Sequence, residues 1–393
     1  MGISAVATAG CTALYGGTGA DVEAPGREYA YRHERVFRVA GQTINPIHWR
    51  RPRRIVYDSE GVIYWEGPNG ASVTQVADHG GALNRVCWSP DRTRTVIVDG
   101  ETAKLYESLE AVGGEPLATH RDVRAPINEL VPIWNPGDDR NDAIIWAEYH
   151  VEEGRDHIVW KSRVGCDDEP GFDDVLRVDA AEFRHFHSLD HDPFNPGHLW
   201  VTAGDGDGNC AWYRTTDHGE TWAQLDKPDT AIYQTLRLTF TEEYVYWAMD
   251  RGAHNSDVDA YAFMRARRDA LDRPEIISEI DRDGGLLSYG TAYIDGLRPG
   301  ILVTTRAVSA YEGDTIPLHF FDLHTDTLVR IANVPIDSDA SDRSGITRTL
   351  PYSNRDGSLS VSLRGIPRLE TRVPHGQSTA FLEPHWVELH GFG

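Results

Sequence analysis

The chain reads TTDHGETW at residues 215–222, and this octapeptide decides the fold prediction. An Asp side chain two residues after a hydroxyl can bond back to its own backbone and close a tight turn, as Asp217 can after Thr215. Gly219 supplies the positive φ that such a turn commonly needs, and Trp222 can pack over the turn as a large apolar cap. The flanking residues, 212–214 and 222–225, are therefore predicted to be two antiparallel strands joined by this turn.

Short apolar runs separated by Gly and Pro fill most of the remaining chain. Runs rich in Val, Ile, Tyr and Trp with turn residues at both ends are typical of strands. Two segments also fit a short helix, residues 260–271 and the loop around Ala180, although residues 260–263 resemble the strands of the other repeats. The strand-turn-strand pattern recurs about every 40–50 residues, in seven windows that start near residues 44, 84, 126, 183, 232, 285 and 345.

This period predicts an all-β protein, a β-propeller of four-stranded antiparallel blades. A ring of blades protects its strand edges because it closes on itself. We expect seven blades, with six as the alternative because the first and last windows are the least regular. Residues 28–393 are predicted to form a single propeller domain in which residues 28–39 complete the last blade. Residues 1–27 are predicted to form an N-terminal extension that packs against a partner.

The composition is strongly acidic, with a formal net charge of −23. Of its 38 basic residues only Lys104, Lys161 and Lys227 are lysines. An acidic, Lys-poor surface resembles proteins that work in very high salt, where screening suppresses self-repulsion. The alternative is codon bias in a GC-rich genome. Either way, the charge argues against nucleic acid or an anionic membrane as the main partner.

The four cysteines, Cys11, Cys87, Cys166 and Cys210, are far apart and show no C-x-x-C spacing. This pattern predicts neither a disulfide scaffold nor a zinc module, and leaves one or two bridges open. No run is long enough for a membrane helix, and the first residues lack the basic region of a secretory signal. We therefore expect no membrane insertion and no clear signal peptide; the attachment function considered below is what predicts a location outside the cell, on a cell surface or on a virion surface.

The octapeptide resembles the Asp-box, or BNR repeat, of the sialidase-like β-propeller superfamily. Thr215, Asp217, Gly219 and Trp222 occupy the four defined positions of that motif. The resemblance is strongest over residues 183–225 and implies a structural turn that lies away from the usual active site. Enzymes of this kind usually carry a Phe/Tyr-Arg-Ile-Pro motif near the start of the propeller. In this chain the most similar segment is RGIP at residues 364–367, which matches imperfectly and lies near the other end. The resemblance therefore implies a fold and leaves sialidase activity unsupported.

Polar residues on the inner strands are the candidate site, because these strands line the central channel of a propeller. We predict a ligand site formed by Arg85, Glu129, His185, His187, Arg237, Tyr289 and Arg348. An Arg side chain can bind a carboxylate through two parallel hydrogen bonds, and aromatic faces stack on sugar rings. His185, His187 and Tyr289 are also the catalytic candidates, since they can move a proton next to a uronate carboxylate. The alternative is an ordinary polar channel lining.

Two histidines, His185 and His187, share one face of their strand because they are two residues apart. Asp190, His191 and Asp192 are near in sequence, which makes a metal site conceivable. A His-x-His pair on a strand is nevertheless common without metal, and the sequence fixes no third ligand. The prediction is therefore that these histidines hold no metal.

A second segment carries oxygen ligands at alternate positions, Asp205, Asp207 and Asn209, as calcium loops do. Cys210 and Thr216 stand where an EF-hand loop has Gly and Glu. A tight polar turn is the simpler interpretation of this segment. The sequence thus predicts no cofactor, with calcium as the alternative.

Three hypotheses for function follow from these features. The leading one is glycan recognition by a surface or virion attachment protein adapted to high salt, with a glycosylated surface as its partner. The first rival is a polysaccharide-degrading enzyme for acidic sugars, a lyase before a hydrolase. The second rival is a structural component that binds other proteins of an assembly. The sequence leaves open whether the chain is an enzyme.

Overall fold

Strands make up almost all of the regular structure in the computed structural model of this chain. The structure describes residues 38–43, 53–57, 61–66, 73–81, 83, 85–89, 93–127, 130–133, 143–163, 169–195, 197–205, 209–227, 231–250, 261–281, 286–294, 299–307, 315–335, 345–349, 359–364 and 385–389. These residues contain 27 strands and one short 3-10 helix, Ala231–Tyr233. No helix in this part of the chain is long and apolar enough to cross a membrane.

The first three blades are consecutive four-stranded antiparallel sheets. Blade 1 contains β1 (Arg38–Thr43), β2 (Arg53–Tyr57), β3 (Val62–Glu66) and β4 (Val73–Asp78). Blade 2 contains β5 (Arg85–Trp88), β6 (Thr95–Asp99), β7 (Thr102–Tyr106) and β8 (Ala118–Arg121). Blade 3 contains β9 (Val131–Ile133), β10 (Ala143–Ala147), β11 (His157–Arg163) and β12 (Gly171–Val178).

Blades 4 to 6 repeat this arrangement, and blade 7 follows with three strands in the part of it that the structure describes. Blade 4 contains β13 (Phe186–His191), β14 (Leu199–Ala203), β15 (Ala211–Thr215) and β16 (Ala223–Gln224). Blade 5 contains β17 (Thr235–Phe240), β18 (Tyr244–Met249), β19 (Tyr261–Arg267) and β20 (Ala270–Asp281). Blade 6 contains β21 (Leu286–Ile294), β22 (Gly300–Ala307), β23 (Thr315–Asp322) and β24 (Thr327–Pro335). Blade 7 contains β25 (Gly345–Thr349), β26 (Leu359–Arg364) and β27 (His385–Leu389), and one pairing of Arg306 with Gly345 links it to blade 6.

The first strand of each blade is the innermost one, because it contacts the first strand of the next blade. β1 contacts β5, β5 contacts β9, and the series continues to β25. β1 also contacts β27 of the last blade. This closed ring of antiparallel blades confirms the predicted all-β propeller. The first strand of each blade begins within about six residues of a predicted window start.

Two local predictions were wrong. Residues 261–271 are not a helix, because β19 pairs with β18 and then turns back into β20, and the loop around Ala180 contains turns and a bend but no helix; residue 260 lies outside the described residues. Arg38 and Val39 belong to β1, which pairs with β2 in blade 1 and so does not complete the last blade. Residues 28–37 of that predicted closing strand lie outside the described residues.

The hydrophobic core lies between consecutive blades. Among the residues that the structure describes, four clusters of buried apolar side chains lie at such interfaces, represented by Ile63 with Ile97, Val96 with Trp146, Ile145 with Phe186, and Trp212 with Trp247. Cys87 and Cys210 are buried and not joined in a disulfide, which fits their use as small apolar residues. Cys11 and Cys166 lie outside the described residues.

The octapeptide forms the predicted turn between β15 and β16. The Thr215 hydroxyl donates to Asp217 Oδ1 at 2.7 Å and accepts the Gly219 N–H at 3.0 Å. Asp217 also accepts the backbone N–H of Thr221 at 2.9 Å. Gly219 has φ +86°, and a Cβ there would lie 2.9 Å from Ile145 Cδ1 on blade 3. The turn is therefore held internally and packs tightly on the preceding blade.

Replacement of Asp217 by Ala is expected to lower the free energy of unfolding by about 1–2 kcal/mol, since it removes the acceptor for Thr215 and Thr221. Urea denaturation followed by circular dichroism measures this loss. The exposed neighbour Thr216 is the matched control, and Thr216→Ala is expected to change stability by less than about 0.5 kcal/mol. Equal midpoints for the two variants would show that the carboxylate does not hold the turn.

Candidate functional site

One end of the inner strands carries the candidate site. In antiparallel blades, the start of the first strand lies beside the end of the second strand. Backbone hydrogen bonds show this in three successive blades: Tyr149 N–H to Ala125 O, Gly204 N–H to His185 O, and Asp250 N–H to Gln234 O. We call this end the entry face and define it by segments 122–127, 148–156, 179–185, 204–205 and 231–234.

The two histidines predicted from sequence lie together on the entry face of blade 4. His185 precedes β13 and His187 is within it, and their ring centroids are 4.7 Å apart. His187 is the extra residue of a β-bulge, because Phe186 pairs with Ala203 while Ser188 pairs with Thr202. Bulges next to functional sites commonly re-aim a side chain. The shared face predicted for the pair is therefore present.

A bulge at the equivalent place in blade 6 contains Tyr289. Ser288 pairs with Thr305 and Gly290 pairs with Thr304, so Tyr289 is the extra residue of β21. The structure thus gives His187 and Tyr289 the same register position in two inner strands. Only the backbone of Tyr289 is described. The shared register position is therefore all that relates Tyr289 to His187, another of the three catalytic candidates.

Asp205 joins the histidines from the loop after β14. Its Oδ2 is 3.7 Å from His185 Nδ1, and its Oδ1 is 3.5 Å from His187 Nε2. Arg184 Nη1 donates to Oδ2 at 2.7 Å, and Gln234 Nε2 donates to Oδ1 at 3.3 Å. Asp205 is thus the centre of a polar cluster contributed by blades 4 and 5.

The cluster is largely withdrawn from water, and this shifts its protonation. Burial lowers the pKa of His185 to about 3, with the neighbouring His187 acting in the same direction. Burial by itself would raise the pKa of Asp205, but its contacts with His187 and Arg184 outweigh that effect and hold the pKa at about 2. At neutral pH the cluster therefore combines a neutral His185 imidazole with an ionised Asp205 carboxylate.

Tyr149 lies at the edge of this cluster and faces solvent. Its ring meets His185 edge-on with centroids 4.9 Å apart, and 44% of the residue is exposed. On the side of blade 3, Arg124 Nη2 donates to Glu152 Oε2 at 2.9 Å, and Arg155 Nη1 donates to Asp122 at 3.1 Å. An exposed aromatic residue therefore lies beside His185, and its backbone is bonded to Ala125, next to the Arg124–Glu152 pair.

The other predicted site residues are more scattered. Arg237, in β17, is buried and donates to Asp190 Oδ1 at 3.0 Å, so a carboxylate of the protein itself contacts its guanidinium. Arg85 begins β5 and Arg348 lies in β25. Glu129 lies outside the described residues, as does Asp207 of the predicted calcium loop, whereas Asn209 is exposed.

Sequence reasoning missed Tyr149 and Arg184, and it placed Asp205 in a different kind of site. The signal that connects Asp205 to the histidines is topological: a residue just after the second strand of a blade lies next to residues at the start of its first strand. The exposure of Tyr149 has no comparable signal, because most Tyr residues in this chain alternate with apolar residues in strands.

With its ring of antiparallel blades, the chain is a β-propeller. No protein-family model and no curated protein matches the sequence. Among solved structures, the chain is similar to one in the crystal structure of a mitotic checkpoint complex, at TM-score 0.54 and 11% identity over 96% of this chain and 99% of that one. It is also similar to the GH74 xyloglucanase from Xanthomonas campestris, at TM-score 0.57 and 13% identity over 86% of this chain. The chain spans about half (52%) of that xyloglucanase. At these identities, the similarity shows the fold alone.

Proposed function

We propose that this propeller recognises glycans through the part of the entry face centred on Tyr149. The observation that carries the proposal is Tyr149, which is 44% exposed, with its ring against His185 and its backbone bonded to Ala125, the residue after Arg124 of the Arg124–Glu152 pair. An aromatic ring offers an apolar surface to a sugar ring. The carboxylates and guanidinium groups beside it are suited to sugar hydroxyls and carboxylates.

The geometry around Tyr149 supports a preformed site. Arg124 and Glu152 form two parallel hydrogen bonds, which fix the planes of both groups. Glu148, fully buried beneath them, accepts the N–H of Arg124 at 2.7 Å and the indole N–H of Trp160 at 2.8 Å. A rigid site loses less conformational entropy when a ligand binds.

Two finer points belong to the same proposal. The internal hydrogen bonds of the turn at residues 215–222 support a relationship to Asp-box propellers. The acidic, Lys-poor composition supports work at high salt, in a surface or virion attachment protein. Assays in molar sodium chloride are therefore the appropriate condition.

Replacement of Tyr149 by Ala is expected to weaken glycan binding about tenfold, equivalent to roughly 1.4 kcal/mol. The wild type is first screened on a glycan array in molar sodium chloride, and its best ligand is then titrated against each variant by calorimetry. Tyr149→Phe keeps the ring and is expected to lose less affinity than the Ala variant. Leu117, 42% exposed on blade 2, is the matched control, and Leu117→Ala is expected to bind as the wild type does.

Other outcomes of this screen point to the rival hypotheses. A blank array combined with stable association with another protein would overturn glycan recognition in favour of the assembly component. Release of a shortened or unsaturated sugar, lost on His185→Ala, would instead identify a hydrolase or lyase. Binding that is unchanged in Tyr149→Ala would place the glycan elsewhere and overturn the proposed site.

A further inference from the structure

We propose that His185, His187 and Asp205 form a binding site for one divalent transition-metal ion, with Zn²⁺ as the preferred probe. The inference goes beyond glycan recognition and rests on different observations. These three residues each offer a ligand atom, and the three atoms lie within 4.8 Å of one another.

The two distances between the histidines and Asp205 are close to those around a tetrahedral ion. Two ligand atoms about 2.1 Å from a tetrahedral Zn²⁺ are about 3.4 Å apart. His187 Nε2 and Asp205 Oδ1 are 3.5 Å apart, and His185 Nδ1 and Asp205 Oδ2 are 3.7 Å apart. Both separations are long for hydrogen bonds. All three ligand atoms lie within 4.8 Å of one another, so side-chain movements of up to about 1.4 Å would bring them to the spacing around one tetrahedral ion.

The second observation is that buried nitrogen atoms in the cluster lack normal hydrogen bonds. His187 is 1% exposed, and among the described residues neither of its ring nitrogens has a partner in normal hydrogen-bond geometry. His185 Nδ1 is likewise buried without a partner in normal hydrogen-bond geometry. Buried polar atoms nearly always have partners, and each exception requires an explanation. A metal ion between these nitrogens and Asp205 supplies one.

The surroundings are those of a metal site. Arg184 and Gln234 each donate to one oxygen of Asp205, at 2.7 Å and 3.3 Å. Such contacts orient a ligating carboxylate and are a usual feature around protein-bound metals. His187 is fixed in the strand by its bulge, so two of the three ligands are held by neighbouring structure.

The donor set selects the class of ion. Two imidazoles and one carboxylate suit Zn²⁺ and other first-row divalent ions, and three protein ligands leave a fourth position for water or a substrate oxygen. Calcium takes six to eight oxygen ligands and fits this cluster poorly. The alternative of calcium at Asp205, Asp207 and Asn209 would compete for the same carboxylate.

The test is calorimetric titration of ZnCl₂ into untagged, EDTA-treated and desalted full-length protein. We expect one ion per chain with a dissociation constant below about 10 µM. His187→Gln and Asp205→Asn remove one ligand each with little change in shape, and each is expected to weaken binding about 100-fold or more. His324→Gln, at an exposed histidine on blade 6, is the matched control and is expected to bind as the wild type does.

Circular dichroism and unfolding midpoints without metal establish that the variants are folded. If His187→Gln unfolds, Asp205→Asn and the spectrum of the Co²⁺-loaded wild type still decide the question. X-ray absorption of that Co²⁺ protein is expected to show two imidazole ligands. Absence of stoichiometric binding by the wild type, or equal affinity of Asp205→Asn and His324→Gln, would overturn the proposal. Glycan binding by the EDTA-treated protein is measured in parallel, so that failure of one proposal is separate from failure of the other.

Discussion

Replacement of Asp190 by Ala is expected to lower the free energy of unfolding by about 3–5 kcal/mol. Asp190 lies in the inner strand of blade 4 and contacts the inner strand of blade 5. Its Oδ1 accepts from Arg237 Nη1 at 3.0 Å, and its Oδ2 accepts the Leu238 N–H at 2.9 Å. Removal of the carboxylate leaves a buried guanidinium and a buried N–H without this acceptor, between the inner strands of blades 4 and 5.

The large expected loss of stability in Asp190→Ala follows from the burial of the Asp190–Arg237 pair. The side chains of Asp190 and Arg237 are 4% and 6% exposed. Burial raises the pKa of Asp190, and the charge of Arg237 opposes that rise. Loss of one partner from a buried pair is costly because the remaining charge stays out of water, whereas exposed pairs contribute little.

A matched comparison isolates the contribution of burial. Glu275 forms an ion pair with Arg265 at 2.8 Å, but its side chain is 58% exposed. Glu275→Ala is expected to cost no more than about 1 kcal/mol. Guanidinium denaturation followed by circular dichroism measures both variants. The double variant Asp190→Leu with Arg237→Met removes both charges and is expected to recover part of the loss. A loss in Asp190→Ala no larger than that in Glu275→Ala would contradict the prediction.

Local sequence patterns predicted the fold well because propeller blades are local structures. Each blade is made of strands that follow one another in sequence, so the period of the apolar runs also gives the period of the blades. The octapeptide is likewise self-contained, since Thr215, Asp217 and Gly219 make its hydrogen bonds within five residues. The errors arose where pairing overrides propensity: residues 261–267 contain helix-forming Ala, Met and Arg, yet they pair with β18.

The candidate site was only partly predictable, because its contacts cross between blades or loops. The two-residue spacing was enough to predict that His185 and His187 lie together, although His185 precedes β13 and His187 is the extra residue of its bulge. Their contact with Asp205 depends on a loop 18 residues further along the chain (from His187), and the contact of Arg237 with Asp190 depends on two separate inner strands. A charged residue on an inner strand looks the same in sequence whether it faces a ligand or a carboxylate of the next blade.

The interface of blades 4 and 5 also depends on Trp212. This side chain is fully buried in β15. Its ring meets Trp247 of blade 5 edge-on with centroids 5.2 Å apart, and it meets Tyr233 in the same way at 5.5 Å. The indole N–H donates to Tyr233 O at 3.0 Å. Trp212 therefore fills the space between two blades and also holds the segment that connects them.

Replacement of Trp212 by Ala is expected to lower the free energy of unfolding by about 3–5 kcal/mol, because it leaves a large cavity and an unpaired carbonyl. Trp212→Phe retains much of the ring and is expected to lose less. The control is Trp222→Ala, since Trp222 of the octapeptide is only partly buried against the neighbouring cluster. Far-UV circular dichroism in guanidinium is the appropriate measurement, because tryptophan fluorescence changes with the substitution itself. If Trp222→Ala is as destabilising as Trp212→Ala, the turn contributes as much to stability as the blade interface, and the interface is not the main source of stability in this half of the ring.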